Sequence, residues 1–171
     1  AWIVEAYIVL IQHFANACNI PVTMVHVGEC AGTMISPELY DEFVVPYISL
    51  LGERLGPIRL HSCGISDHLL EPATRIKNLS IFDTGSGTSI QKIRDIMGNN
   101  FEINVFPPTE VLRQGSPVSA AIDWLEKTLS ENGDGPLQIA FHLEPEYETK
   151  NALAIHDELI KRGLISSGRL Y

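Results

Sequence analysis

Five short apolar runs, each followed by a stretch that reads as helix, limit most strongly what this chain can fold into. They span residues 22–27, 58–61, 79–82, 101–106 and 137–141. Rich in Val, Ile, Leu and Phe, they show little polar alternation, the pattern of strands buried on both faces. Strands of that kind alternating with helices over short connections make a parallel sheet covered by helices. With 171 residues, 45% of them apolar and 19% charged, the chain can bury one core. Two architectures fit: an open doubly wound sheet, or an arc of a (β/α)8 barrel. Eight barrel units need about 250 residues, so five units are the most this chain can hold.

The helical stretches carry their own punctuation. In 2–14, Ile3, Ala6, Tyr7, Leu10, Ile11 and Phe14 recur at threes and fours, predicting a helix with a broad buried face. Ser36-Pro37-Glu38 predicts a helix start with a serine cap, proline in the first turn and an acid at the positive dipole end. That helix should reach about Leu55 with a kink at Pro46. Thr88 with Gln91 reads as a capping box, Ser116-Pro117 as the cap of a helix through Trp124 to Leu129, and 150–162 as the last helix.

Both architectures place ligands outside the carboxyl ends of the strands. Those ends carry Glu29 and Cys30, His61 and Cys63, Asp83, Asn104, and His142 and Glu144, whereas the strand starts carry Pro21, Pro57, Asn78, Asn100 and Pro136. Metal-capable and proton-handling groups therefore collect at one end. His61 and Cys63, two apart at a strand end, point the same way. Imidazole and thiolate are zinc ligands, and two of them leave a site incomplete. His142 is the simplest third ligand, leaving a fourth position open for a substrate or thiol. Cys30, Glu29 and Glu144 stand in reserve as ligands or acid/base groups, and Asp83 and Asn104 are candidate substrate contacts. Each has a plainer reading: Cys30 as packing, Glu29 as a loop cap, Asp83 as a turn-former before Gly85 and Gly87. Gly85-Ser86-Gly87 lacks the third glycine of the dinucleotide fingerprint, with Ile90 in its place, so nucleotide binding is not expected. His13, His26, His68 and His156 lie within helix or strand patterns and read as core or surface.

A net charge of −9 without a local Lys/Arg run gives no attraction to nucleic acid or anionic lipid. The first twenty residues contain Glu5, Gln12, His13 and Asn16 and read as neither a leader nor a membrane span. Three scattered cysteines, Cys18, Cys30 and Cys63, suit a reducing compartment, and the cytoplasm is the expected location. Because the chain opens with Ala and runs directly into helix, upstream units are expected to be missing.

On several of these residues the chain resembles the carboxyl-terminal half of the uroporphyrinogen decarboxylase superfamily. The resemblance runs through Ile35-Ser36-Pro37-Glu38-Leu39-Tyr40-Asp41-Glu42-Phe43 and Pro46-Tyr47, then His61-Ser62-Cys63-Gly64. It continues through Asn104-Val105, Val111-Leu112 and Gly115-Ser116-Pro117 to Glu144-Pro145 and Asn151-Ala152. It implies a (β/α)8 TIM barrel, with residues 1–171 forming a partial barrel domain of five strand-helix units preceded by one helix. The His-x-Cys pair matches the cobamide-dependent methyltransferase branch, in which that pair and a later cysteine bind zinc and activate a thiol. His142 stands where that branch has its later cysteine. The function so implied is zinc-dependent transfer of a methyl group between a corrinoid (cobalamin) held by a partner protein and a thiol or similar small-molecule nucleophile. The alternatives are a metal-free decarboxylase-like enzyme acting on a tetrapyrrole, and a non-catalytic half-barrel that covers its two open sheet edges as a homodimer.

Overall fold

The computed structural model describes residues 2–142 and 144–166. Its sheet has five parallel strands, β1 (Val25–Gly28), β2 (Ile58–Ser62), β3 (Leu79–Thr84), β4 (Glu102–Val105) and β5 (Leu137–Ile139), hydrogen-bonded in sequence order. A doubly wound sheet reverses its strand order part-way. Five parallel neighbours in strict succession do not, and they form an arc of a barrel wall.

The helices are α1 (Trp2–Cys18), α2 (Pro37–Phe43), α3 (Val45–Leu55), α4 (Leu70–Ala73), α5 (Ile90–Met97), α6 (Thr109–Leu112), α7 (Val118–Asn132) and α8 (Thr149–Lys161). Because crossovers between parallel strands are right-handed, sequential strands send all their helices to one face. The contacts agree: α2 packs on α4, α4 on α5, α5 on α7 and α7 on α8. Val25, Ile58, Leu60, Phe82, Ile103 and Val105 point into this layer and meet Tyr40, Ile48, Leu69, Leu70, Ile90 and Ile93. A second cluster, Val111, Leu112, Ala121, Leu125, Ala152 and Ile155, holds α6, α7 and α8 together.

The opposite face departs from the apolar-on-both-faces expectation. Alternation places His26, Arg59, His61, Asp83, Asn104 and Gln138 there, away from the helices. The runs looked wholly apolar because each is too short to repeat its polar positions. Register then aligns them. A shift between Ile58 and Arg59 sets His61 opposite Asp83, and one row across the sheet reads Gly28, His61, Asp83, Asn104, Gln138.

Several local expectations hold and others move. Ser36 caps α2 by accepting from Leu39 N at 3.3 Å, and the helix breaks at Val44, before Pro46. The cap of α5 is Ser89, which accepts from Lys92 N at 3.3 Å, not Thr88. Thr88 is drawn inward, where its hydroxyl accepts from Ser66 N and donates to Gly64 O. Pro117 occupies the cap of α7, while Ser116 Oγ donates to Glu110 O. In α1 the face turned inward is Val4, Ile8, Ile11 and Ala15, with Ile8 fully buried; Ile3, Tyr7, Leu10 and Phe14 are exposed. This helix is apolar nearly all round, so periodicity could not select which stripe packs on α3. No helix among the described residues is long and apolar enough to cross a membrane.

Candidate functional site

The carboxyl ends of β1 and β2 bring three metal-capable side chains together. The Sγ of Cys30, a ring nitrogen of His61 and the Sγ of Cys63 all lie within 4.8 Å of one another. Cys30 opens a tight helical turn, Cys30–Met34, after β1, and its sulfur accepts from Cys63 N at 3.5 Å. Gly85 lets the loop after β3 close over the strand end: a Cβ there would stand 2.3 Å from Cys63 O. Its N–H donates to Ser62 O at 3.2 Å. The glycines of that loop therefore serve close backbone packing. Ligand atoms of a tetrahedral zinc stand about 3.5–3.8 Å apart, so small side-chain rotations complete a site from this trio. Cys63 is exposed, and its thiol is held above the ordinary range by the Cys30 sulfur beside it and by desolvation.

His142 does not join this trio. It stacks on Phe106, with ring centroids 4.7 Å apart and planes 8° apart, and Phe106 in turn meets His61 edge-on at 6.4 Å. The expected His61, Cys63, His142 set is not among the metal-capable groups of the described residues: the Phe106 ring packs against both histidines, and Cys30 is the side chain that stands with His61 and Cys63. His142 instead walls a cavity of about 260 Å³ shared with His61, Cys63, Ser86, Pro107 and Tyr147. Glu144 lies exposed in the loop after β5, outside both metal-capable groups.

Asp83 is 2% exposed at its side chain; its Oδ2 accepts from Arg59 Nε at 2.9 Å and lies 2.7 Å from Arg59 Nη2 in an ion pair. Its Oδ1 stands 3.4 Å from His61 Nδ1 without completing a hydrogen bond. His26 Nε2 lies 3.9 Å from Oδ2, so His26, His61 and Asp83 form a second metal-capable group. Sequence reasoning passed over His26 and Arg59. Strand parity carried the signal, since both stand two residues before the row of Gly28 and His61. Asn104 is fully buried, and neither its amide nitrogen nor its oxygen has a partner among the described residues.

Glu29 folds back beneath the helical turn, where a Cβ on Gly32 would stand 1.9 Å from its Oε2. Burial raises its pKa from 4.5 to about 7, opposed in part by the nearby Tyr40 and Ser62 hydroxyls. Neither Oε2 nor the Tyr40 hydroxyl completes a hydrogen bond, so burial prevails. The unfolded chain releases this proton near 4.5 and the folded chain near 7. Folding therefore takes up a proton between those values, and stability falls as pH rises through them. After solvent screening, a loss on the order of 1–2 kcal/mol is expected across this window. Denaturant midpoints of the metal-free protein should show that loss in wild type and not in Glu29→Gln. Parallel profiles would remove the buried-carboxyl account.

By sequence the chain matches no protein-family model and no curated protein. By fold it is similar to a solved methyltransferase from Methanosarcina mazei, with a TM-score of 0.67 and 16% identity. The match covers 94% of this chain and 47% of that one, so the chain spans about half the length of that structure. At this identity the likeness establishes the architecture: five strand-helix units of a partial barrel, with the thiol and imidazole groups at its carboxyl-terminal mouth.

Proposed function

We propose that this chain is part of a zinc-dependent methyltransferase that moves a methyl group between a corrinoid carried by a partner protein and a thiol or similar nucleophile. The observation that carries the reading is the convergence of Cys30, His61 and Cys63 at one strand-end site. The donor set suits zinc: two thiolates and one imidazole, open to solvent on the Cys63 side. Bound there, zinc would hold a substrate thiol as thiolate at neutral pH.

The chain's own residues supply the rest. The cavity beside Cys63, lined also by the stacked Phe106 and His142 rings and by Tyr147, would seat the small nucleophile. Asn104 offers an unpaired buried amide on the same row as His61 and Asp83, a candidate substrate contact. The fold similarity to a methyltransferase supports the reaction class.

Zinc content after dialysis tests the reading and its ligands together. About one zinc per wild-type chain is expected, lost in Cys30→Ser and retained in His142→Ala. The reverse order would restore the His142 ligand set, and no zinc in a well-folded wild-type sample would leave the methyltransferase reading without its centre.

A further inference from the structure

We infer that Asp83 is a positioning residue that fixes the tautomer of His61, holding the proton on Nδ1 so that the Nε2 lone pair is kept for the metal. This rests on the metal reading above and adds to it a residue from a different strand.

Asp83 reaches His61 because the shifted register of β2 and β3 sets the two residues opposite each other on the helix-free face. One of its oxygens is already committed. Oδ2 accepts from Arg59 Nε at 2.9 Å and is ion-paired with Nη2 at 2.7 Å. The other, Oδ1, is buried and has no hydrogen-bond partner among the described residues, and His61 Nδ1 stands 3.4 Å from it. A buried carboxylate oxygen without a donor is costly, and a small rotation of the imidazole relieves it. The neutral ring can donate from one nitrogen only. If Nδ1 donates to Oδ1, Nε2 is left unprotonated, which is the state a metal requires. A carboxylate behind a ligating histidine also raises its basicity and locks its orientation.

The same atoms decide between two uses of this cluster. His26, His61 and Asp83 could by count hold an ion of their own. Arg59 argues against it, because its guanidinium occupies Oδ2 and would repel a divalent cation at that oxygen. Among the described residues His26 also faces Asp83, at 3.9 Å and more than half exposed. The carboxylate is thus arranged to serve His61.

Arg59 also makes the test specific to the tautomer. In Asp83→Asn, the amide oxygen must face the Arg59 guanidinium, which turns the NH2 toward His61 Nδ1. Nδ1 then becomes the acceptor, the proton moves to Nε2, and the metal-binding nitrogen is blocked. Asp83→Ala removes the carboxylate without imposing either tautomer. Zinc affinity by chelator competition is expected to fall about 10–100-fold in Asp83→Asn and by less in Asp83→Ala. A role limited to packing would give the opposite order, since Asn is the closer replacement. Nitrogen-15 spectra of the imidazoles in the metal-free protein, above the ordinary imidazole titration range, should show His61 protonated on Nδ1 in wild type and on Nε2 in Asp83→Asn.

A wild-type His61 protonated on Nε2 would overturn the proposal, as would Asp83→Asn binding zinc within threefold of wild type. Absence of zinc from wild type would sink the metal reading instead, with the metal-free spectra still deciding what Asp83 does to His61. Circular dichroism of each variant guards against misfolding, and the isosteric Asn keeps the test available should Ala fail to fold.

Discussion

Replacing Arg94 by Met is expected to destabilise the chain by about 3–5 kcal/mol. Arg94 lies on α5 with 4% exposure, at the end of the sheet remote from the thiols. Its Nε and Nη2 donate to Asn132 Oδ1 at 3.0 and 2.6 Å, and Nη2 also reaches Pro136 O at 2.8 Å. Nη1 donates to Phe101 O. Asn132 in turn donates to Gly135 O at 2.8 Å. One guanidinium thereby ties together α5, the entry to β4, the end of α7 and the entry to β5. Gly135 is required beside it, because a Cβ there would stand 2.4 Å from Arg94 Cζ and 2.6 Å from Asn99 O. Met would replace the stem of the side chain but take from Asn132 Oδ1 and Phe101 O the donors that Arg94 supplies, each loss costing about 1–3 kcal/mol where water cannot enter, while Pro136 O keeps Ile103 N. The melting temperature should fall by roughly 10 °C. Zinc content should be unchanged, since the network lies away from Cys30, His61 and Cys63. A urea-denaturation loss below about 1 kcal/mol would show that these carbonyls find other partners.

Cys63→Ser is expected to weaken zinc binding by at least about 100-fold and to change its pH dependence. A zinc ligand must be deprotonated, so binding expels the proton of each thiol that carries one in the free chain. The Cys63 thiol is held above its ordinary range by Cys30 and by desolvation, so it is protonated at neutral pH. The sign follows: affinity falls as pH drops, by about tenfold per unit for this one proton. Removing the thiol lowers that slope by one proton. Zinc affinity measured by chelator competition between pH 6.5 and 8, values chosen to lie below the ordinary thiol range of about 8.5, reads both effects. An unchanged slope would mean that Cys63 is not a ligand, whatever the change in affinity.

The alternation of strand and helix, the helix start at Ser36-Pro37, the break near Pro46 and the collection of reactive groups at the strand ends were all legible in the sequence. Each is a local property: strand length, turn chemistry and capping depend on a few neighbouring residues. The His61 and Cys63 pairing was legible for the same reason, since two residues apart on one strand share a face. What lay beyond the sequence was non-local. Strict strand order, and with it the barrel arc, depends on which strands pair. Register decides which side chains oppose one another, and a shift of one residue between Ile58 and Arg59 puts Asp83 rather than its neighbour against His61. Whether Cys30 or His142 stands beside His61 and Cys63 depends on the turn after β1 and on the Phe106 ring packed against both histidines. The inward stripe of α1 depends on where α3 lies. The kinds of element and the end of the sheet at which chemistry collects follow from the residues in order, because short-range sterics and hydrogen bonding set them. Which groups meet is a matter of the folded chain, because pairing, register and ring placement are settled by packing between segments far apart in the sequence.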